Sequence, residues 1–165
     1  MTLSLQEISD RFEIQDLLYR YAEVIDGKRF DELYDVFSED AHIDYSVFGG
    51  SVGNRDHTIE FLKKAMPMFP NTQHSNANAQ IAVKGDTATG RVMCFNPQEI
   101  PLPGGGSQVF MLGLWYVDEY VRTPKGWRIR KRVEEKSWVF GNIGIAFFRN
   151  AIVWSRSPTE PPNTL

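Results

Sequence analysis

The sequence predicts an α+β fold, in which a curved, mostly antiparallel sheet wraps around N-terminal helices and leaves an internal pocket. Two observations carry this expectation. Apolar residues in the first half recur at helical spacing, whereas those in the second half alternate as in strands. The second half is also punctuated by short turn signals, "KGD" and "PK", which divide it into hairpins.

The elements follow in order. Ser4 to Glu7 fits the capping pattern S-x-x-E. Ile14, Leu18, Tyr21 and Ile25 then form one apolar stripe, flanked by Leu17 and Val24, and Gly27 is a plausible stop. "FDELYDVFSEDA" reads as a second short helix with Leu33, Val36 and Phe37 inward. "AHIDYSVFGG" reads as a short strand running into a glycine turn. "NRDHTIEFLKKAM" reads as a third helix capped by Asn54, with Ile59, Phe61 and Leu62 apolar, ended by Pro67 and Pro70. "QHSNANAQIAV" and "TATGRVMCF" make one hairpin, and "SQVFMLGLWYVDEYVRT" and "GWRIRKRVEEKSWVF" make another. "NPQEIPLPGGGS" between them reads as a long loop of the kind that covers binding sites. "IAFFRNAIVW" fits a last strand or helix. A single domain is expected over residues 1–154, with the proline-rich residues 155–165 as a tail.

Composition narrows the function classes. The chain has 165 residues and a net charge of −3, so no basic footprint argues for nucleic acid or an anionic membrane. The lone Cys94 cannot form an internal disulfide and suits a reducing cytoplasm, the compartment expected. No apolar run approaches the length of a membrane span, and no signal peptide is read. No metal motif, phosphate loop or nucleophile elbow is present, so neither metal nor cofactor is expected. Any chemistry falls to acid–base side chains in an apolar pocket. Aromatic residues are plentiful at 13%. Tyr45, Phe48, Phe61, Phe69, Trp115 and Phe147 are candidates to line such a pocket around a small-molecule substrate.

Several residues invite a chemical reading beside a structural one. Asp26 sits at the C-terminal end of a helix, where the dipole disfavours an anion, so it is either a solvated turn residue or a buried carboxylate awaiting a positive partner. Strict alternation puts His74, Asn76, Asn78 and Gln80 on one strand face and Ile81 and Val83 on the other. Either the amide face is solvated, or it lines a polar cavity with His74 as a base; a β-bulge would reconcile the two patterns. His57 reads as exposed and His42 as an edge-strand residue. Tyr21 packs in the core or offers its hydroxyl to a pocket. Arg128, Arg130 and Arg132 share a face that reads as solvated unless a bulge turns one inward.

"RFEIQDLLYRYAEVIDGKRFDELYDVFSEDAHIDY", "TQHSNANAQIAVKGDTATG" and "DEYVRTPKGWRIRKRV", in that order over roughly residues 5–140, resemble the SnoaL-like branch of the NTF2-like superfamily. The likeness is greatest to scytalone dehydratase, the bile-acid 7α-dehydratases and hexachlorocyclohexane dehydrochlorinase. The resemblance implies an NTF2-like cone. It also implies a catalytic dyad at Asp26 and His74, with His74 abstracting a proton from carbon and Asp26 holding its tautomer. Tyr21 matches a dehydratase tyrosine. Arg132, five residues after Trp127, matches a dehydrochlorinase arginine. These two would assist the leaving hydroxide or halide. The implied reaction is an elimination on a small hydrophobic ring compound. The same base could instead serve an isomerase or cyclase, and some relatives only bind or assemble. A homo-oligomer is implied, with a trimer favoured over a dimer.

Overall fold

The computed structural model describes residues 2–102 and 104–141. It contains α1 (Leu5–Asp26), β1 (Phe37–Asp44), β2 (Val52–Asn54), α2 (Arg55–Ala65), β3 (Ser75–Lys84), β4 (Thr87–Pro101), β5 (Ser107–Thr123) and β6 (Gly126–Phe140), with short 3-10 turns at Phe30–Asp35, Ser46–Phe48 and Met66–Met68. The six strands form one curved, unclosed sheet in the order β2-β1-β6-β5-β4-β3. Only β1 and β6 run parallel; the other neighbours are antiparallel. The helices lie in the hollow of the sheet, which is the α+β architecture expected.

The stripe on α1 is what seats it. Ile14, Leu18, Tyr21 and Ile25 are buried, and so are the flanking Leu17 and Val24. Each such side chain contributes roughly 1.5–3 kcal/mol by leaving water. Ser4 caps the helix by accepting from the Glu7 backbone N–H at 3.1 Å. The reciprocal half of the capping box is not made: the Glu7 carboxylate pairs with Arg11 one turn on. At the other end Gly27 has an ordinary helical φ of −76°, and Lys28 takes the left-handed conformation with φ +57°. Asn54 caps α2, accepting from the His57 N–H at 2.9 Å.

Two expectations are corrected. The second helix is only the 3-10 turn Phe30–Asp35, because "FSED" extends into β1 and pairs with β6. The long loop is also shorter than expected, since β4 runs through Asn96–Pro101 and pairs residue for residue with β5. Pro97 is tolerated because its carbonyl accepts from the Gln73 N–H at 3.1 Å. In an antiparallel strand a residue's N and O point the same way, so the missing N–H faces this irregular edge rather than β5.

Bulges decide which side chains face inward. Between Ala77 and Gln80, three steps of β3 are matched by two steps of β4, from Met93 to Arg91. The extra residue is accommodated at Asn78, whose φ is +48°. This puts His74 and Asn76 on the same face as Ile81 and Val83, so the two sequence patterns share one side. On β6, Glu119↔Lys131 is followed by Tyr120↔Ile129, which leaves Arg130 as the extra residue. A second shift, from Gly113↔Trp138 to Leu114↔Lys136, leaves Ser137 extra. The inward side chains of β6 are therefore Trp127, Ile129, Arg132, Glu134, Lys136 and Val139. No described helix is long and apolar enough to cross a membrane.

Candidate active site

Asp26 ends α1 pointing at the start of β3, and both oxygens of its carboxylate are engaged. Oδ2 accepts from the His74 backbone N–H at 2.8 Å. Oδ1 meets the His74 ring at Nδ1, 2.6 Å away, and accepts from the Thr72 hydroxyl at 2.9 Å. Lys28 donates from Nζ to that hydroxyl at 3.1 Å, a reach permitted by its left-handed backbone. These donors answer the unfavourable end of the helix dipole. Burial raises the carboxyl's pKa, but the bond from the His74 ring, its charge, and the bonds from the His74 N–H and Thr72 outweigh it. The net direction is downward.

His74 is thereby held in one orientation. With Asp26 as acceptor, Nδ1 carries a proton, and in the neutral ring Nε2 is the nitrogen that keeps a lone pair. The Asn96 amide lies 2.9 Å from Nε2, and its Nδ2 donates there when the ring is neutral. Asn96 Oδ1 is buried without a partner among the described residues. The imidazole packs edge-on to Tyr21, with ring centroids 6.2 Å apart. His42 and His57 are both exposed and lie outside the cavity.

The dyad opens into a cavity of about 410 Å³. Its polar groups include Tyr21, Tyr45, His74, Asn96, Gln98 and Glu134; Phe48, Phe61, Phe69, Leu112 and Val139 supply much of its apolar wall. The Tyr21 and Tyr45 hydroxyls are 2.9 Å apart. Burial pushes the Tyr21 phenol up to about 12 against the opposing charge of Arg132. Burial likewise carries Tyr45 well above its ordinary value, so both hydroxyls keep their protons. Among the described residues no three His, Cys, Asp or Glu side chains gather as a metal-binding group.

Four expected residues stand elsewhere. Arg132 is turned inward by the bulge at Arg130 but is fully buried behind the tyrosines. It donates to Asp118 in a two-pronged pair, at 2.8 Å from Nε and 2.7 Å from Nη2. Its guanidinium stacks over the rings of Tyr21 at 4.2 Å and Tyr116 at 4.0 Å. It does not line the cavity. Asn76 points inward but is used structurally, donating to the Leu18 carbonyl at 3.0 Å. Asn78 sits exposed on the bulge. Trp115 lies on the outer face, opposite Met93 and Glu135, with the Arg91 guanidinium 3.9 Å over its ring. Phe147 and the tail lie outside the described residues.

The structure adds Thr72, Asn96, Gln98, Glu134 and Lys136 to the neighbourhood of the dyad. Asn96 and Gln98 continue the inward alternation of Val92 and Cys94, a signal masked by the intervening Pro97. Glu134 and Lys136 sit in "VEEKSW", a charged run that reads as solvated until the bulges are known.

A family model described as SnoaL-like domain matches residues 6–133. A protein of Mycobacterium tuberculosis described as uncharacterized is 48% identical over 134 residues, covering 81% of this chain and 90% of its own. Among solved structures, a protein of Novosphingobium aromaticivorans provisionally named as a scytalone dehydratase superimposes with a TM-score of 0.73 at 20% identity, over 82% of this chain and 89% of its own. The type 3 hexachlorocyclohexane dehydrochlorinase of Novosphingobium barchaimii superimposes with a TM-score of 0.71 at 18% identity, over 86% and 95%. At these identities the two structures show the shared fold, an NTF2-like cone.

Proposed function

The chain belongs to the SnoaL-like domain family, and we propose that it is an acid–base lyase, eliminating water or a halide acid from a small hydrophobic ring compound with His74 as base. One observation supports the reading above the rest: an Asp–His pair 2.6 Å apart whose imidazole is buried at the wall of a largely apolar cavity. The family's fold hosts dehydratases and dehydrochlorinases, and that coarser fact agrees with the chemistry.

On this reading Asp26 holds the Nδ1–H tautomer and stabilises the imidazolium that forms. The substrate's C–H takes the place of the Asn96 amide at Nε2. The proton passes to Nε2, the C–H electrons become the new C=C bond, and the leaving group departs from the neighbouring carbon. The Tyr21 and Tyr45 hydroxyls donate to a substrate oxygen, which steadies charge developing in a water-poor site. Arg132 acts through Tyr21, as a positioning residue that holds the ring and polarises its hydroxyl. The cavity volume lies in the range usual for small-molecule sites.

The test is a panel of hydroxylated and halogenated cyclic ketones, with product masses recorded. Loss of water or acid identifies elimination. An unchanged mass points to an isomerase or cyclase, and uptake without product points to a binding module. His74→Ala should abolish any turnover found; full activity in that variant removes His74 as the base.

A further inference from the structure

We propose that Glu134 is the general acid of this site, delivering a proton to a departing hydroxyl, so that the preferred substrates are hydroxylated ring compounds rather than halides. This rests on His74 as the base and deepens that reading.

The placement is geometric. Glu134 faces inward on β6 opposite Tyr116 and lines the same cavity as His74, Tyr21 and Tyr45. A carboxylate that lines a largely apolar cavity is costly as an anion unless a cation pairs with it. Here Arg132 commits Nε and Nη2 to the two oxygens of Asp118, and its Nη1 is buried without a hydrogen-bond partner among the described residues, so it acts on Glu134 through charge alone. Among the described residues the Glu134 carboxyl is in no ion pair and no hydrogen bond, although Lys136 lines the same cavity. The other titratable or charged groups around it are Tyr21 from α1, Asp44 and Tyr45 at the end of β1, Cys94 from β4, Tyr116 from β5, and His74 across the cavity from β3. Burial, reinforced by Asp44 and opposed by Arg132, pushes its carboxyl up to about 8. A candidate base and a proton-holding carboxyl then share one cavity, the arrangement that divides acid and base roles.

The chemistry selects the leaving group. Halide is a weak base and departs unaided, whereas hydroxide is a strong base and departs readily only as water. His74 Nε2 takes the proton from carbon, the C–H pair forms C=C, the C–O bond breaks, and the Glu134 proton makes the departing oxygen water. The net change is substrate to alkene plus water. Afterwards His74 loses its proton, and Glu134 regains one, by exchange with solvent.

The test pairs 3-hydroxycyclohexanone with 3-chlorocyclohexanone, which give the same ultraviolet-absorbing enone, and adds infrared titration of the unliganded protein. In the wild type a carboxylic-acid C=O band should be present at neutral pH, vanish with a midpoint near 8, and be missing in Glu134→Gln. The hydroxyl-to-chloride rate ratio should fall by about 100-fold in Glu134→Gln, the usual scale of general acid catalysis. The alkaline limb of the hydroxyl reaction should disappear with it. Glu134→Met, equally unable to donate, serves where Glu134→Gln folds poorly. No such band, or an unchanged rate ratio, overturns the proposal. Turnover that survives His74→Ala instead overturns the base assignment, and the two failures are therefore distinguishable.

Discussion

Asp26 and His74 are joined twice: one carboxylate oxygen meets the imidazole Nδ1 at 2.6 Å, and the other accepts the His74 backbone N–H at 2.8 Å. The second bond fixes where β3 begins, so ring and backbone are positioned by the same carboxylate. The helix end and the strand start are thereby locked together across 48 residues of sequence.

The first consequence concerns turnover. Asp26→Asn presents an amide to the Thr72, ring and backbone donors, so one hydrogen bond is lost and the Nδ1–H tautomer is no longer imposed. Turnover should fall by about 10³- to 10⁴-fold, the scale seen when an Asp–His pair loses its carboxylate elsewhere. Stability should drop by only about 1–3 kcal/mol. Nitrogen chemical shifts of His74 check this without a substrate: the protonated Nδ1 of the wild type should give way to a mixture.

Stability should depend on acid through the same carboxylate. The folded pKa of Asp26 is depressed below its unfolded value. Its contribution is therefore fully present above the unfolded pKa of about 3.9 and is lost as pH falls through the folded pKa. Urea unfolding at neutral pH should separate wild type from Asp26→Asn, and the gap should narrow as the medium becomes strongly acidic. A gap that widens in acid would contradict the assigned direction.

Arg132 and Asp118 make a second, structural test. Arg132→Met leaves the Asp118 carboxylate buried with only Tyr120 as donor, which should cost about 3–5 kcal/mol. Replacing both, as Arg132→Met with Asp118→Leu, should recover a large part of that loss. Chemical denaturation of the two single variants and the double variant measures the coupling. Additive losses would show that the pair is not the main source of the cost.

Asn78 tests the bulge. Its exposed side chain and φ of +48° suit glycine or asparagine. Asn78→Gly should be near neutral, whereas Asn78→Val should cost about 1–2 kcal/mol from left-handed strain. Because the bulge sets which face His74 occupies, Asn78→Val should also disturb the His74 ring resonances, readable by NMR. Equal stability of the two variants would contradict the strain.

Much was legible in the sequence because it is encoded locally. The stripe Ile14–Leu18–Tyr21–Ile25, the cap at Asn54 and the hairpin ends at "KGD" and "PK" depend on neighbours within a turn or two, and all appear where expected. The family pattern marked Asp26 and His74, and the fold brought them together. What only the tertiary structure decided is the face each strand residue occupies. Strand side chains alternate with a period of two, so a single extra residue reverses every position beyond it. Bulges at Asn78, Arg130 and Ser137 did this, sending Asn78 to solvent, Arg132 into the core and Glu134 into the cavity. Trp115 and Asn96 show the same limit on strands without a local cue. One is large and aromatic yet packs on the outer face under Arg91, and the other follows Cys94 inward past a proline that reads as a loop. Alternation states which residues share a face, but pairing with the neighbouring strand decides which face that is.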